Sequence, residues 1–174
     1  MSATKATNAK DVMKGEWGTT GVFPDGGRSV WLMGMLMTFK AIGEDTDGAY
    51  SMYVATIPPN TGAPPHIHHR ETEAFYMLEG ELDFIAGERT IRAVGGNLLY
   101  VDKGVIHGYT NSGQVTARYL GLVTPGGLHE QLFAALGDEA TAETLPPPPA
   151  GPPDMAKLIE LASRYQTELL PPPA

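Results

Sequence analysis

The chain has 174 residues, of which 21 are Gly and 15 Pro, with no Cys and five His. Without thiols there is no disulfide framework, and no thiolate site for zinc or iron–sulfur clusters; a metal here has to be held by imidazole and carboxylate. A net charge of −8 and a pI near 5.0 oppose attraction to phosphate backbones or anionic membranes. No apolar run approaches a membrane span, and the start lacks the apolar stretch of a secretory leader. The expectation is a cytoplasmic protein with no nucleic-acid or membrane partner.

In chain order, residues 1–27 are polar with scattered Gly and read as an N-terminal arm or edge strand. Residues 28–125 alternate short β-branched or aromatic runs with Gly, Pro, Asn and Asp at spacings of about ten residues, the pattern of an antiparallel sandwich or barrel. The run from Ser29 to Lys40 reads as one strand with Trp31, Met33, Met35, Met37 and Phe39 on one buried face. Residues 48–59 give a second strand. Tight reversals are expected at Glu79-Gly80 and Gly87-Glu88, pairing successive strands as hairpins. Seven or eight strands suffice to close a small barrel around one ligand.

Residues 126–174 carry the rest. Leu128, Leu132, Phe133 and Leu136 fall at helical spacing, with Gly137 placed to end the helix. Nine of the 15 prolines follow residue 145, so an extended strap is expected. After it Asp154 can cap a last helix reaching about Leu169, with the stripe Met155, Leu158, Leu161, Ala162 and Tyr165. That stripe has to be buried on this barrel or a partner's, which points to a homodimer.

Four of the five histidines cluster, in PPHIHHRETE and KGVIHGYTN. Residues two apart on a strand share a face, so His66 and His68 enter the barrel together while His69 points out. His107, after the turn at Asp102-Lys103-Gly104, can return a third imidazole. Glu71 and Glu73 are both within reach as the carboxylate, and spacing alone does not choose between them. Three His and one Glu suit one divalent transition metal ion, Fe, Ni, Mn, Co, Cu or Zn, with positions left for substrate.

These residues resemble the two motifs of the cupin superfamily. His66-x-His68, four residues, Glu73, six residues and Gly80 match the first motif. Gly96, Asp102-x-Gly104, His107 and Asn111 fall at the offsets of the second. Asp102 replaces the usual Pro, and three residues separate Gly62 from His66 where five are common. The resemblance implies an all-β fold, the cupin double-stranded β-helix or jelly-roll barrel, here with short C-terminal helices. It selects His66, His68, Glu73 and His107 as metal ligands.

Within the superfamily, the segment 57–82 and both expected helices resemble single-domain quercetin 2,3-dioxygenase-like cupins. That likeness implies a dioxygenase acting with O2 on a flavonol-like or other enolic or phenolic ring. Glu73 would be ligand and also catalytic base, a role calling for a raised carboxyl pKa in an apolar cavity. The competing classes are a metal-assisted isomerase or lyase on a small carbonyl compound and a non-catalytic small-molecule binder. Met33, Met35 and Met37 are read as lining the substrate pocket. Glu71, beside Arg70, reads as a solvated loop residue; its other open role, shared with Asp102, is to accept the outer N–H of a ligand imidazole. His69 and His129 read as surface residues.

Overall fold

The computed structural model of the chain describes residues 12–14, 20–22, 26–148, 151 and 154–170. Residues 1–11 of the expected arm, several strap prolines and the closing Pro-rich end lie outside them. Within the arm, β1 (Val12–Lys14) and β2 (Thr20–Val22) pair antiparallel as a small ribbon. The body consists of β3 (Ser29–Leu32), β4 (Met35–Ala41), β5 (Ser51–Ile57), β6 (Gly62–His68), β7 (Thr72–Glu79), β8 (Glu81–Ala86), β9 (Arg89–Val94), β10 (Leu98–Val101), β11 (His107–Thr110) and β12 (Ala117–Thr124). After it come α1 (Leu128–Leu136), β13 (Asp138–Glu139), α2 (Met155–Arg164) and β14 (Thr167–Leu169).

Two antiparallel sheets result, ordered β10-β7-β12-β5-β4-β3-β13 and β14-β6-β11-β8-β9. This is the all-β jelly roll that the sequence predicts. Period-two burial is plain in β5, where Ser51, Tyr53, Ala55 and Ile57 face inward, and in β12, where Ala117, Tyr119, Gly121 and Val123 do. Aromatic rings from the two sheets meet inside, as in the edge-on contact of Phe75 with Phe84 at 4.9 Å. Burying each such side chain contributes roughly 1.5–3 kcal/mol. Gly121 is required by this packing, because a Cβ there would lie 2.4 Å from Tyr53 Cζ.

Three expectations about the elements are corrected. The run from Ser29 to Lys40 is two strands, since Met33 (φ 50°) and Gly34 (φ 85°) form a two-residue turn that pairs Leu32 with Met35. Directly paired residues share a face, so Val30 and Leu32 point inward with Met35, Met37 and Phe39. Trp31 faces the other way, its Nε1 donating to the Thr144 carbonyl at 2.8 Å. At Gly80 (φ 69°) the chain bends rather than closing a hairpin, for β7 and β8 belong to different sheets. The hairpin at Gly87-Glu88 forms, with Ala86 opposite Arg89.

The third correction concerns the last helix. Asp154 caps α2, accepting the Lys157 amide at 3.1 Å. The helix ends at Arg164, and Gln166 takes φ 61°. The chain then continues as β14 along the edge of β6, placing Thr167 opposite His68 and Leu169 opposite His66. A free sheet edge is a row of unmet backbone groups, so pairing there outweighs continuing the helix to Leu169. The segment leading into the strap is pinned to the barrel as well, Ser29 Oγ donating to the Glu143 carboxylate at 2.8 Å. Helix α1 has the predicted span, closed by the Gly137 amide on the Phe133 carbonyl.

Candidate metal centre

Strand β6 alternates so that His66 and His68 are buried while Ile67 and His69 turn outward. His69 instead meets Glu168 on the surface at 3.1 Å. Strand β11 is antiparallel to β6 and sets His107 directly opposite His66. From the facing sheet, β7 supplies Glu73. His66 Nε2 lies 3.2 Å from His68 Nε2, and Glu73 Oε2 lies 3.2 Å from His107 Nε2 and 3.5 Å from His68 Nε2. One donor atom from each of these four buried residues falls within 4.8 Å of every other.

The outer ring nitrogens explain the orientation. His66 Nδ1 lies 2.8 Å from the Pro64 carbonyl and His107 Nδ1 lies 2.9 Å from the Val105 carbonyl. Carbonyls only accept, so both Nδ1 atoms carry the proton, and in the neutral rings the Nε2 lone pairs face the centre. His68 Nδ1 is partnered by Thr167 Oγ1 at 3.0 Å. Lone pairs and a carboxylate crowded on one point repel until a cation is placed among them, so the donor set fits a divalent transition metal. Neither Glu71 nor Asp102 is the close partner of a ligand imidazole; that place belongs to Thr167, brought in by β14, and Asp102 is exposed. Asn111 serves the fold, donating to the Ile57 and Val115 carbonyls at 2.8 and 2.9 Å.

Burial raises the Glu73 carboxyl, but His129, His107 and His68 together pull it well below the usual carboxylate range. The raised pKa expected from sequence is thereby reversed: Glu73 is held ionised. His66 is pushed down to about 3, by burial first and then by its imidazole neighbours. In His107 burial works downward, and the Glu73 carboxylate overrides it and raises the ring. Glu73 divides its oxygens between two tasks. While Oε2 faces the imidazoles, Oε1 accepts the Tyr53 hydroxyl at 2.5 Å. Tyr53 continues to Tyr119 at 3.3 Å, and Tyr119 to Tyr109 at 3.0 Å. Burial raises all three phenols, so they remain neutral donors.

Two residues read from sequence as solvent-facing are part of this centre. Glu71 is 2 % exposed and accepts the His129 amide at the start of α1, at 3.0 Å. Burial pushes its carboxyl up to about 8 against that hydrogen bond. His129 is 3 % exposed, stacked on Tyr53 at 5.4 Å and packed on Phe133 at 4.3 Å. Its Nε2 stands 3.6 Å from Glu73 Oε1, and burial lowers its pKa to about 4. The signal was in the helix period, since positions 129, 132, 133 and 136 share one face.

A cavity of about 70 Å³ adjoins His66, His68 and Glu73, and Met33, Met35 and Met37 are all on its wall. Tyr53, Tyr109 and Tyr119 line the inner side, and Leu158 and Ala162 of α2 cover it. Met33 sits at the rim, 38 % exposed.

A two-sheet β-helix that holds three imidazoles and one carboxylate at one end defines a class, and the comparisons agree with it. Residues 53–123 match the cupin domain, and the two-sheet fold of this part of the chain agrees with that match. Over 103 residues, 59 % of this chain, it is 29 % identical to the quercetin 2,3-dioxygenase of Bacillus subtilis (strain 168), and the match spans 30 % of that protein's length. An RmlC-like cupin from Shewanella frigidimarina superposes with a TM-score of 0.50 at 14 % identity, over 57 % of this chain and 85 % of that one. KdgF from Halomonas sp. gives 0.49 at 15 % identity, over 54 % and 81 %. At such identities the likeness to solved structures concerns the fold alone.

Proposed function

We propose that the chain is a metal-dependent dioxygenase that acts with O2 on an enolic or phenolic ring substrate of the flavonol type. The observation that carries this reading is the convergence of three imidazoles and an ionised carboxylate beside an apolar cavity edged with hydroxyl and imidazole donors. His66, His68, His107 and Glu73 would hold the metal, one ion of Fe, Ni, Mn, Co, Cu or Zn. When bound, the ion supplies a positive charge that acidifies a neighbouring substrate hydroxyl and, if redox-active, gives access to O2 chemistry.

The chain's own groups have distinct parts. Glu73 is ionised and accepts from the substrate hydroxyl at Oε1; because its pKa is held low, it would take the proton only from a hydroxyl that the bound ion has acidified. Tyr53, which donates to that oxygen, then turns its proton toward Tyr119, 3.3 Å away. The methionines and α2 keep water from the ring. Catechols and the B. subtilis relative's flavonol substrate class differ in size, and a volume of about 70 Å³ lies below that of pockets for drug-sized ligands. A three-ring flavonol therefore enters only if α2 moves outward.

The same volume favours, as a second reading, an isomerase or lyase acting on a small carbonyl compound with the ion as Lewis acid. Elemental analysis followed by an oxygen-electrode screen of flavonols, catechols and open-chain enols separates the two. Oxygen uptake with an enol supports the dioxygenase; turnover without uptake supports the second reading. A protein that cannot be loaded with metal sinks both. A homodimer belongs to the proposal too, supported by the exposed apolar residues Tyr76, Leu98 and Tyr100 on the outer face of the larger sheet; sedimentation tests it.

A further inference from the structure

We propose that His129 is the group by which the cavity recognises its ligand, its ring N–H donating to an oxygen of a small enolic or catecholic molecule seated beside Glu73. Among the described residues, the only buried side-chain nitrogens or oxygens without a hydrogen-bond partner are Nδ1 and Nε2 of His129. Each orphaned group costs about 1–3 kcal/mol in a folded chain. The ring is packed by Tyr53 and Phe133, surroundings in which a phenyl ring would do as well at no such cost. The partner that offsets this cost therefore lies outside the chain, and His129 faces the one place where it can arrive, the cavity it shares with His66, His68 and Glu73.

The chemistry of that partner follows from the neighbours. At 3.6 Å Nε2 is too far from Glu73 Oε1 for a hydrogen bond, yet the two stand side by side. A ligand that carries an acceptor oxygen next to a hydroxyl meets both, the acceptor taking the imidazole N–H and the hydroxyl donating to the carboxylate. Adjacent oxygens of this kind are the mark of catechols, enediols and 3-hydroxy-enones. The rival occupant is a second metal ion, because His68, Glu71 and His129 also bring ligand atoms within 4.8 Å of one another. His68 is not available to that set, because Thr167 holds its Nδ1 and its Nε2 belongs to the four-donor centre; what remains is Glu71, whose Oε1 the His129 amide engages, and one imidazole, too few for a closed metal site.

The inference rests on the enolic-substrate reading above, and the test separates the two. Metal-loaded wild type, His129→Phe and His129→Gln are compared for metal content, melting and binding of 4-nitrocatechol by absorbance. Phe keeps the stacking and removes both nitrogens, His129→Leu removes them too and stands in if the Phe variant does not fold, and Gln restores a donor. The expected result is one metal per chain in all three, a dissociation constant at least tenfold weaker in His129→Phe, and partial recovery in His129→Gln. Unchanged binding in a folded His129→Phe, or in His129→Leu should the Phe variant not fold, with full metal content, overturns it. Metal lost in step with the substitution overturns it in favour of a ligand role. Wild type that loads metal and binds no catechol overturns the functional reading and this inference with it.

Discussion

The hydroxyl of Tyr53 is expected to stabilise the protein more than any other phenol in the core, and Tyr53→Phe measures by how much. Tyr53 is fully buried, and phenylalanine leaves the ring in place, so no carbon cavity opens. What is lost is a 2.5 Å bond to the ionised Glu73. The next group to that oxygen, His129 Nε2 at 3.6 Å, is too distant to replace it. A hydrogen bond to a charged group contributes about 1.5–3 kcal/mol, and the weaker contact to Tyr119 goes as well. Tyr109→Phe is the reference, because its hydroxyl meets a neutral phenol at 3.0 Å and a thioether at 3.8 Å; about 1 kcal/mol is expected there. Urea unfolding of metal-free protein at pH 7 gives both values, and a cycle with Glu73→Gln isolates the coupling. Since Tyr53 also orients a ligand carboxylate, metal affinity should fall roughly tenfold or more. A Tyr53→Phe cost within about 0.5 kcal/mol of the Tyr109→Phe cost, or no coupling to Glu73, refutes the account.

Other consequences follow from the same contacts. Gly121→Ala places a Cβ against the Tyr53 ring and should cost about 1–3 kcal/mol, with poorer metal retention seen by elemental analysis. In metal-free protein, the folded pKa values of His66 and His129, about 3 and about 4, lie below the unfolded value. The unfolded chain therefore binds more protons between pH 6.5 and 4, and melting temperature should fall as pH falls through that window. Glu71 works in the opposite direction: folded near 8 and about 4.5 unfolded, it makes stability fall as pH rises from 4.5 to 8. Glu71→Gln should flatten that alkaline decline, and an unchanged profile would show the carboxyl ionised in the fold. Cutting the chain after Leu145 strips β14 from the edge of β6 and Thr167 from His68; melting and metal content should both drop.

The strand-rich body, both helices with their caps, and the inward-facing histidine pair were legible because each depends on local spacing; Glu73 was set above Glu71 by the family resemblance, not by spacing. Two residues apart on a strand is enough to send His66 and His68 to one side, and a Gly after Leu136 is enough to end α1. The turn at Met33-Gly34 was hidden because its neighbours continued an apolar alternation through it. Gly80 was misread because a positive-φ glycine serves a hairpin and a sheet-to-sheet bend alike. His129 and Glu71 were discounted as polar residues near chain turns, although the helical period already put His129 with Leu132 and Phe133.

The sequence by itself determined which side chains could bind a metal and that they would stand on strands, since side-chain type and the two-residue period are properties of neighbours along the chain. Only the tertiary structure decided what those side chains experience. Glu73 is ionised rather than protonated because β11 and α1 bring imidazoles to it from far along the sequence. His68 is steadied by Thr167, 99 residues away, because the last segment pairs with β6 instead of extending a helix. Charge and hydrogen bonding act across a few ångströms of space, and which groups share that space is settled by how the sheets and the C-terminal segment close on one another.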